Sequence, residues 1–148
     1  MALSPKEVHE LKSFATEIRL NTLETLNHLG FGHYGGSLSV VEILAVLYGK
    51  VMNMTPELFK EKDRDYFVLS KGHAGPALYS TLYLKGFFDK DFLHSLNTNG
   101  TRLPSHPDRN LTPGVDSSRQ TEPVDEAHFA VVARGHDSQG RSRWHILL

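Results

Sequence analysis

The stretch "DYFVLSKGHAGPALYS", Asp65 to Ser80, decides the fold. Asp65 to Ser70 is short, apolar and β-prone, as a strand buried on both faces should be. Gly75-Pro76 then opens the apolar run "PALYSTLYLKGFF", with proline where the first turn of a helix tolerates it. Strand, glycine-containing loop and helix make half of a βαβ unit. The stretch therefore predicts an α/β domain with a parallel sheet. In such sheets ligands bind beyond the carboxyl ends of the strands, which is where Gly72 and His73 fall.

A loop that only turns the chain could use Asn or Asp there. A histidine adds chemistry. The following helix N-terminus offers unpaired N–H donors and a partial positive charge. Glycine lets the backbone approach a phosphate with no Cβ in the way. An imidazole at that spot can donate to a phosphate oxygen or carry a proton near neutral pH. Two more histidines share the setting: His33 in "GHYGG" and His106 in the proline-braced "PSHPD". The same spacing also fits plain turn chemistry with exposed imidazoles. For His106 it fits a rigid surface loop, because the flanking prolines fix the backbone whatever the side chain does. No two of the three histidines lie two or four residues apart, which argues against a zinc site built from local pairs. The sequence contains no P-loop, no G-x-G-x-x-G after the strand and no G-x-S-x-G elbow.

The bulk numbers describe an ordinary globular chain of 148 residues, with 39% hydrophobic and 22% charged residues and a net charge of −1. That charge gives no electrostatic footprint for nucleic acid or an anionic membrane. No apolar run is predicted to span a bilayer, and the N-terminus lacks the order of a secretory signal. With no cysteine, disulfides and thiolate metal sites are excluded, and a reducing cytoplasm is the expected compartment. Of the nine histidines, His9, His28 and His94 lie in polar helical contexts and read as solvated surface residues.

Along the chain, Ser4-Pro5-Lys6-Glu7 is a capping box with proline at the first helical position. It starts a helix expected to run to about His28. A second helix should open near Ser37 or Ser39, with Glu42 completing another capping box. Its body "VVEILAVLYGKVM" is apolar nearly all round, as a buried helix would be. "DKDFLHSL" predicts a short helix, and residues 97–116 predict loop. Beyond Asp116 the pattern changes: the tail has one apolar island, "HFAVVA", and one weak strand candidate near Phe129 to Ala133.

Three motifs in order, "GHYGGSLSVVEILAVLY", "RDYFVLSKGHAGPALYSTLYLKGFF" and "LPSHPDRNLTPGVD", resemble the N-terminal part of transketolase, closest to the N-terminal subunit of split transketolases. The resemblance covers roughly residues 11–116. It implies the N-terminal portion of a doubly wound α/β domain that binds thiamine diphosphate with a divalent metal. It also implies transfer of a two-carbon ketol unit between ketose and aldose phosphates. The partner it implies is a C-terminal transketolase subunit or a homodimer mate. Carried over by position, His33 matches the histidine near the reacting carbons that helps with proton transfer, and His106 the one that hydrogen-bonds the donor hydroxyl beside the carbonyl. His73 with Gly72 matches the diphosphate side, and Gly114 the turn leading to the next cofactor segment.

The family pattern continues from "TPGVD" into a G-x-L-x-Q-G-type loop, and later into a G-D-G followed by Asn that supplies ligands for Mg²⁺ or Ca²⁺. Neither occurs in this sequence, so the protein's share of metal ligands is expected to be missing and the domain incomplete. Residues 1–116 are accordingly expected to form the diphosphate-binding part. Residues 117–148 are expected to be a divergent tail, disordered or out of frame. A non-catalytic protein that docks on an intact transketolase chain is the alternative to a partial enzyme.

Overall fold

The computed structural model describes residues 3–61, 64–118, 131–136 and 142–147. The first helix, α1 (Pro5–Leu29), starts with the predicted capping box. Ser4 Oγ accepts from the Glu7 N–H at 3.3 Å, and Glu7 Oε2 accepts from the Ser4 N–H at 2.8 Å. Glu7 also pairs with Lys50. The Lys50 hydrogen bond, then those from Ser4, holds the Glu7 carboxyl down to about 2. The helix stops at Gly30, whose φ of 85° places it in the left-handed region that closes helix ends.

The second helical region departs from expectation. It begins earlier, as α2 (Tyr34–Leu38), breaks at Ser39-Val40, resumes as α3 (Val41–Val46) and loosens into a π-turn, Leu47–Val51. The capping box expected at Ser39 does not form, because the Ser39 hydroxyl donates back to the Gly36 carbonyl at 2.9 Å. The 18-residue window Tyr34–Val51 reaches a mean hydropathy of 1.2, enough by length and composition to cross a membrane. The structure uses that apolarity for a core: Val40, Val41, Leu44, Ala45, Leu47 and Tyr48 are all buried.

The central element is α4 (Gly75–Leu84), entered through the 3-10 turn Gly72–Ala74 and buried throughout Gly75 to Leu82. It lies against α1, where the Thr22 and Ser80 hydroxyls meet at 3.1 Å. Ile18 and Leu26 on α1, Leu44 on α3 and Leu82 on α4 itself are almost fully enclosed. Burial of each contributes about 1.5–3 kcal/mol relative to exposure. The short helix expected after it is α5 (Lys90–His94), capped by Asp89, which accepts from the Phe92 N–H at 2.8 Å. His28 is exposed, as expected, while His94 is half-buried, and their rings stack at 5.0 Å between α1 and α5.

The predicted strand is β1 (Tyr66–Leu69). It pairs in parallel with the two-residue β2 (Ser117–Ser118), Val68 opposite Ser117. On its other edge it pairs antiparallel with β3 (Val131–His136), Val68 opposite Val132, and β3 pairs antiparallel with β4 (Ser142–Leu147). The sheet order is β2-β1-β3-β4. Among the described residues the sheet is therefore mixed, and the chain beyond Asp116 supplies three of its strands, β2, β3 and β4, where the sequence pattern suggested one. The rest of the tail, Phe129 and Ala130 included, lies outside the described residues.

One buried ion pair ties β1 to the end of the long loop. Arg64 and Asp116 have side chains 7% and 4% exposed and form a two-pronged contact, Nη1 to Oδ2 at 3.0 Å and Nη2 to Oδ1. Asp116 Oδ2 also accepts from the Phe67 N–H at 2.8 Å, in the strand itself. The Arg64 Nε and Nη1 donate to the Phe59 and Asp65 carbonyls, both at 2.8 Å. The guanidinium lies over the rings of Phe59 and Tyr66, at 4.3 and 4.0 Å from their centroids. Removing one member leaves the other charged in the interior. Asp116→Asn is therefore expected to lose about 3–5 kcal/mol of unfolding free energy. Urea denaturation measures it, and a loss below about 1 kcal/mol, the scale of an exposed pair, would contradict the assignment.

Candidate functional site

The carboxyl end of β1 runs through Ser70 and Lys71 into the Gly72–Ala74 turn that carries His73. His33 sits at the N-cap of α2 but makes no capping bond with its side chain. Its ring faces His73 instead, centroids 4.2 Å apart and planes inclined by 60°. His106, on the long loop, meets His73 edge-on, at 5.1 Å and 86°. Three histidines separated by 40 and 33 positions in the chain are thus brought to one place. The first two motifs are also joined through polar contacts. Ser37 Oγ donates to the His73 carbonyl at 3.3 Å, and Lys71 Nζ donates to Ser39 Oγ at 3.1 Å.

The third motif reaches the cluster only because two positions lack a side chain. A Cβ on Gly72 would stand 3.0 Å from Cγ and Cδ2 of His106. A Cβ on Gly75 would stand 2.8 Å from the Ser105 carbonyl oxygen and 2.9 Å from Pro107 Cδ. The loop is therefore laid directly on the backbone of the strand-to-helix turn. Tyr79, one turn into α4, donates its hydroxyl to the Pro104 carbonyl at 2.7 Å. Within the loop, Asn97 Nδ2 donates to Ser105 Oγ at 2.6 Å, Arg102 Nε to the Leu111 carbonyl at 3.0 Å, and Thr112 Oγ1 to the Arg102 carbonyl at 2.8 Å.

His33 and His106 are exposed and His73 is half-buried, so the cluster opens to solvent. The His106 ring is covered on the face that lies over Gly72. Burial there pushes its pKa below the ordinary 6.5, and the neighbouring His73 and His33 push it the same way. An imidazole can accept or donate hydrogen bonds, and an anion beside one favours its charged form.

Gly114 does not join them. It is buried with φ 86°, and a Cβ there would stand 2.7 Å from Phe87 Cδ1 and 2.8 Å from Leu82 Cδ2. Leu82 lies near the far end of α4, roughly 12 Å along the axis from its entry. Among the described residues no group of three or more His, Asp or Glu is placed to hold a metal ion.

A histidine cluster at the carboxyl end of a strand with a parallel neighbour, beside the entry to a buried helix, fits an α/β domain of the doubly wound class, in which ligands bind at that end of the sheet. Comparison with known proteins narrows the class. Residues 11–126 match the family described as transketolase, thiamine diphosphate binding domain. The chain belongs to the transketolase family, a family of transferases, through that domain. It is 50% identical over 107 residues to the 6-deoxy-6-sulfo-D-fructose transketolase subunit SqwG of Clostridium sp. strain MSTE9, covering 72% of this chain and 39% of that protein. It is 39% identical over 110 residues to one of the subunits of the apulose-4-phosphate transketolase of Phocaeicola vulgatus, covering 74% and 38%. The solved transketolase from Leishmania mexicana superposes with a TM-score of 0.66 at 30% identity, over 71% of this chain and 16% of that one. The chain thus spans about two fifths of the length of the two bacterial relatives.

The sequence singled out the three histidines and Gly72, which the structure brings together, but not Gly75 and Tyr79, which hold the loop against them. The signals were there: a second glycine in "KGHAG", and a phenol inside an apolar helix, where a buried hydroxyl requires a partner.

Two outcomes follow. Gly75→Ala is expected to force the loop off the turn and lower stability by about 1–3 kcal/mol, the usual cost of overpacking; an unchanged thermal transition would contradict the close approach. The second concerns pH. Folded His106 takes its proton at lower pH than the unfolded chain, so acid favours unfolding. Its contribution is intact above about pH 6.5 and is lost as the pH falls through the folded value. Urea midpoints against pH should fall less steeply below about pH 6.5 in His106→Asn than in the wild type; equal slopes would contradict it.

Proposed function

We propose that this chain forms the diphosphate-binding part of a transketolase that moves a two-carbon ketol unit between a ketose and an aldose, both phosphorylated or similarly anionic sugars. The convergence of His33, His73 and His106 on one opening is the observation that carries this reading. Thiamine diphosphate, when bound, supplies the carbanion chemistry and the electron sink. His73 and the Gly72–Ala74 turn would hold its diphosphate at the entry to α4, where backbone N–H groups favour an anion. His33 and His106, on the open side, would face the sugar, bind its hydroxyl groups and move a proton near neutral pH. Gly114 would act at a distance, by setting the turn that leads from the loop toward further cofactor contacts.

The relatives named as subunits support a partner protein that completes the enzyme, with residues 1–116 as the working part. The name of one relative specifies a sulfonated sugar and that of another a phosphorylated one, which supports an anionic sugar substrate and carbohydrate metabolism as the setting. The absence of cysteine fits work in a reducing cytoplasm.

The test is thermal unfolding with thiamine diphosphate and Mg²⁺. A ligand at about 100 times its Kd stabilises the folded state by about 2.7 kcal/mol, and His73→Ala should abolish most of that gain. No response in the wild-type chain, together with binding to an intact transketolase, would replace this reading with that of a non-catalytic docking protein.

A further inference from the structure

We propose that Tyr79 is a positioning residue for His106: its hydroxyl, donated to the Pro104 carbonyl, holds the loop so that the imidazole stays seated on Gly72 and edge-on to His73. The inference rests on the reading of His106 as a ligand-facing group. Tyr79 is fully buried, so its ring is fixed by the core. The hydrogen bond is 2.7 Å long and lands two residues before His106. On the other side of His106, Pro107 packs on the Gly75 backbone. The loop is thus pinned both before and after the histidine, once by a hydrogen bond and once by contact.

Burial pushes the Tyr79 phenol up, the Thr112 hydroxyl opposes that rise, and Asp108 adds to it. The net rise keeps the hydroxyl protonated, and so a donor, across any working pH. The charge-bearing groups acting on His106 itself are His73 and His33. Lys71, whose ammonium meets Ser39, belongs to the strand-to-helix turn, and Asp108 to the loop. Loosening the loop takes His106 away from the other two imidazoles and uncovers the ring. Both changes raise its pKa.

Tyr79→Phe removes only the hydroxyl and leaves the ring in the core. Histidine ring signals followed by NMR against pH give the readout in the full chain. The His106 midpoint is expected to rise in the variant, while the His28 and His94 signals, on α1 and α5, stay where they are. A rise confined to the cluster upholds the positioning role; an unchanged His106 midpoint overturns it, and so does a shift of all histidines together, which would mark a general structural role. If the wild-type chain does not bind thiamine diphosphate, the proposed function fails, yet the ring titrations still decide the role of Tyr79. If Tyr79→Phe does not fold, the wild type decides it: a slowly exchanging Tyr79 hydroxyl proton with through-space contacts to Pro104 upholds the bond, and fast exchange with solvent overturns it.

Discussion

The buried contact between Arg64 and Asp116 is the constraint on which the remaining geometry depends. Neither charge can stay in the interior alone. Their pairing fixes the residue that leads into β1 against the residue that ends the long loop, 52 positions away. Because Asp116 also accepts from the Phe67 N–H, the tie is made to the strand backbone as well as to a side chain. The chain between the two anchors contains β1, the His73 turn, α4, α5 and the loop with His106. Closing that segment puts the loop back over the carboxyl end of the strand, where a doubly wound domain presents its ligand site.

Within the closed segment, short-range contacts do the alignment. Gly72 and Gly75 allow the loop to lie on backbone, and the flanking prolines limit how it can bend. Tyr79 supplies a directed bond from the core. This division separates stability from function. The Arg64–Asp116 pair determines whether the loop returns. The glycines and the Tyr79 hydroxyl determine where the imidazole then sits.

What the sequence made legible follows from the range of the interactions. The capping box at Ser4 and Glu7, the strand at Tyr66 and the proline-led helix at Gly75 are local, and each formed as its residues suggest. The break at Ser39-Val40 was not legible, because the Ser39 hydroxyl satisfies a carbonyl three residues back instead of capping forward. The His28–His94 stack was also invisible, since it depends on α5 packing across α1 and not on any spacing. The three site histidines were readable one by one from their glycine and proline neighbours. Their convergence was not, since it requires Arg64 to find Asp116. Gly114 shows a second demand that no spacing reveals: besides making a turn, it must lack a side chain because Phe87 and Leu82 press on it in the core, and a sequence pattern cannot tell a glycine needed for a ligand from one needed for packing.

The contacts that fix the histidine cluster all lie between residues 33 and 116: Ser37 to the His73 carbonyl, Tyr79 to Pro104, the loop on Gly72 and Gly75, and Arg64 with Asp116. None of them draws on β3, which meets β1 along its antiparallel edge with Val68 opposite Val132, or on β4, which pairs with β3. The helices, too, pack through side chains within that interval and on α1. The histidine cluster is therefore assembled by the part of the chain that matches the transketolase domain, independently of how the sheet is finished beyond it. A domain built this way can keep its three histidines in register whatever strands follow Asp116. The constraint it cannot lose is the buried charge pair that closes the segment.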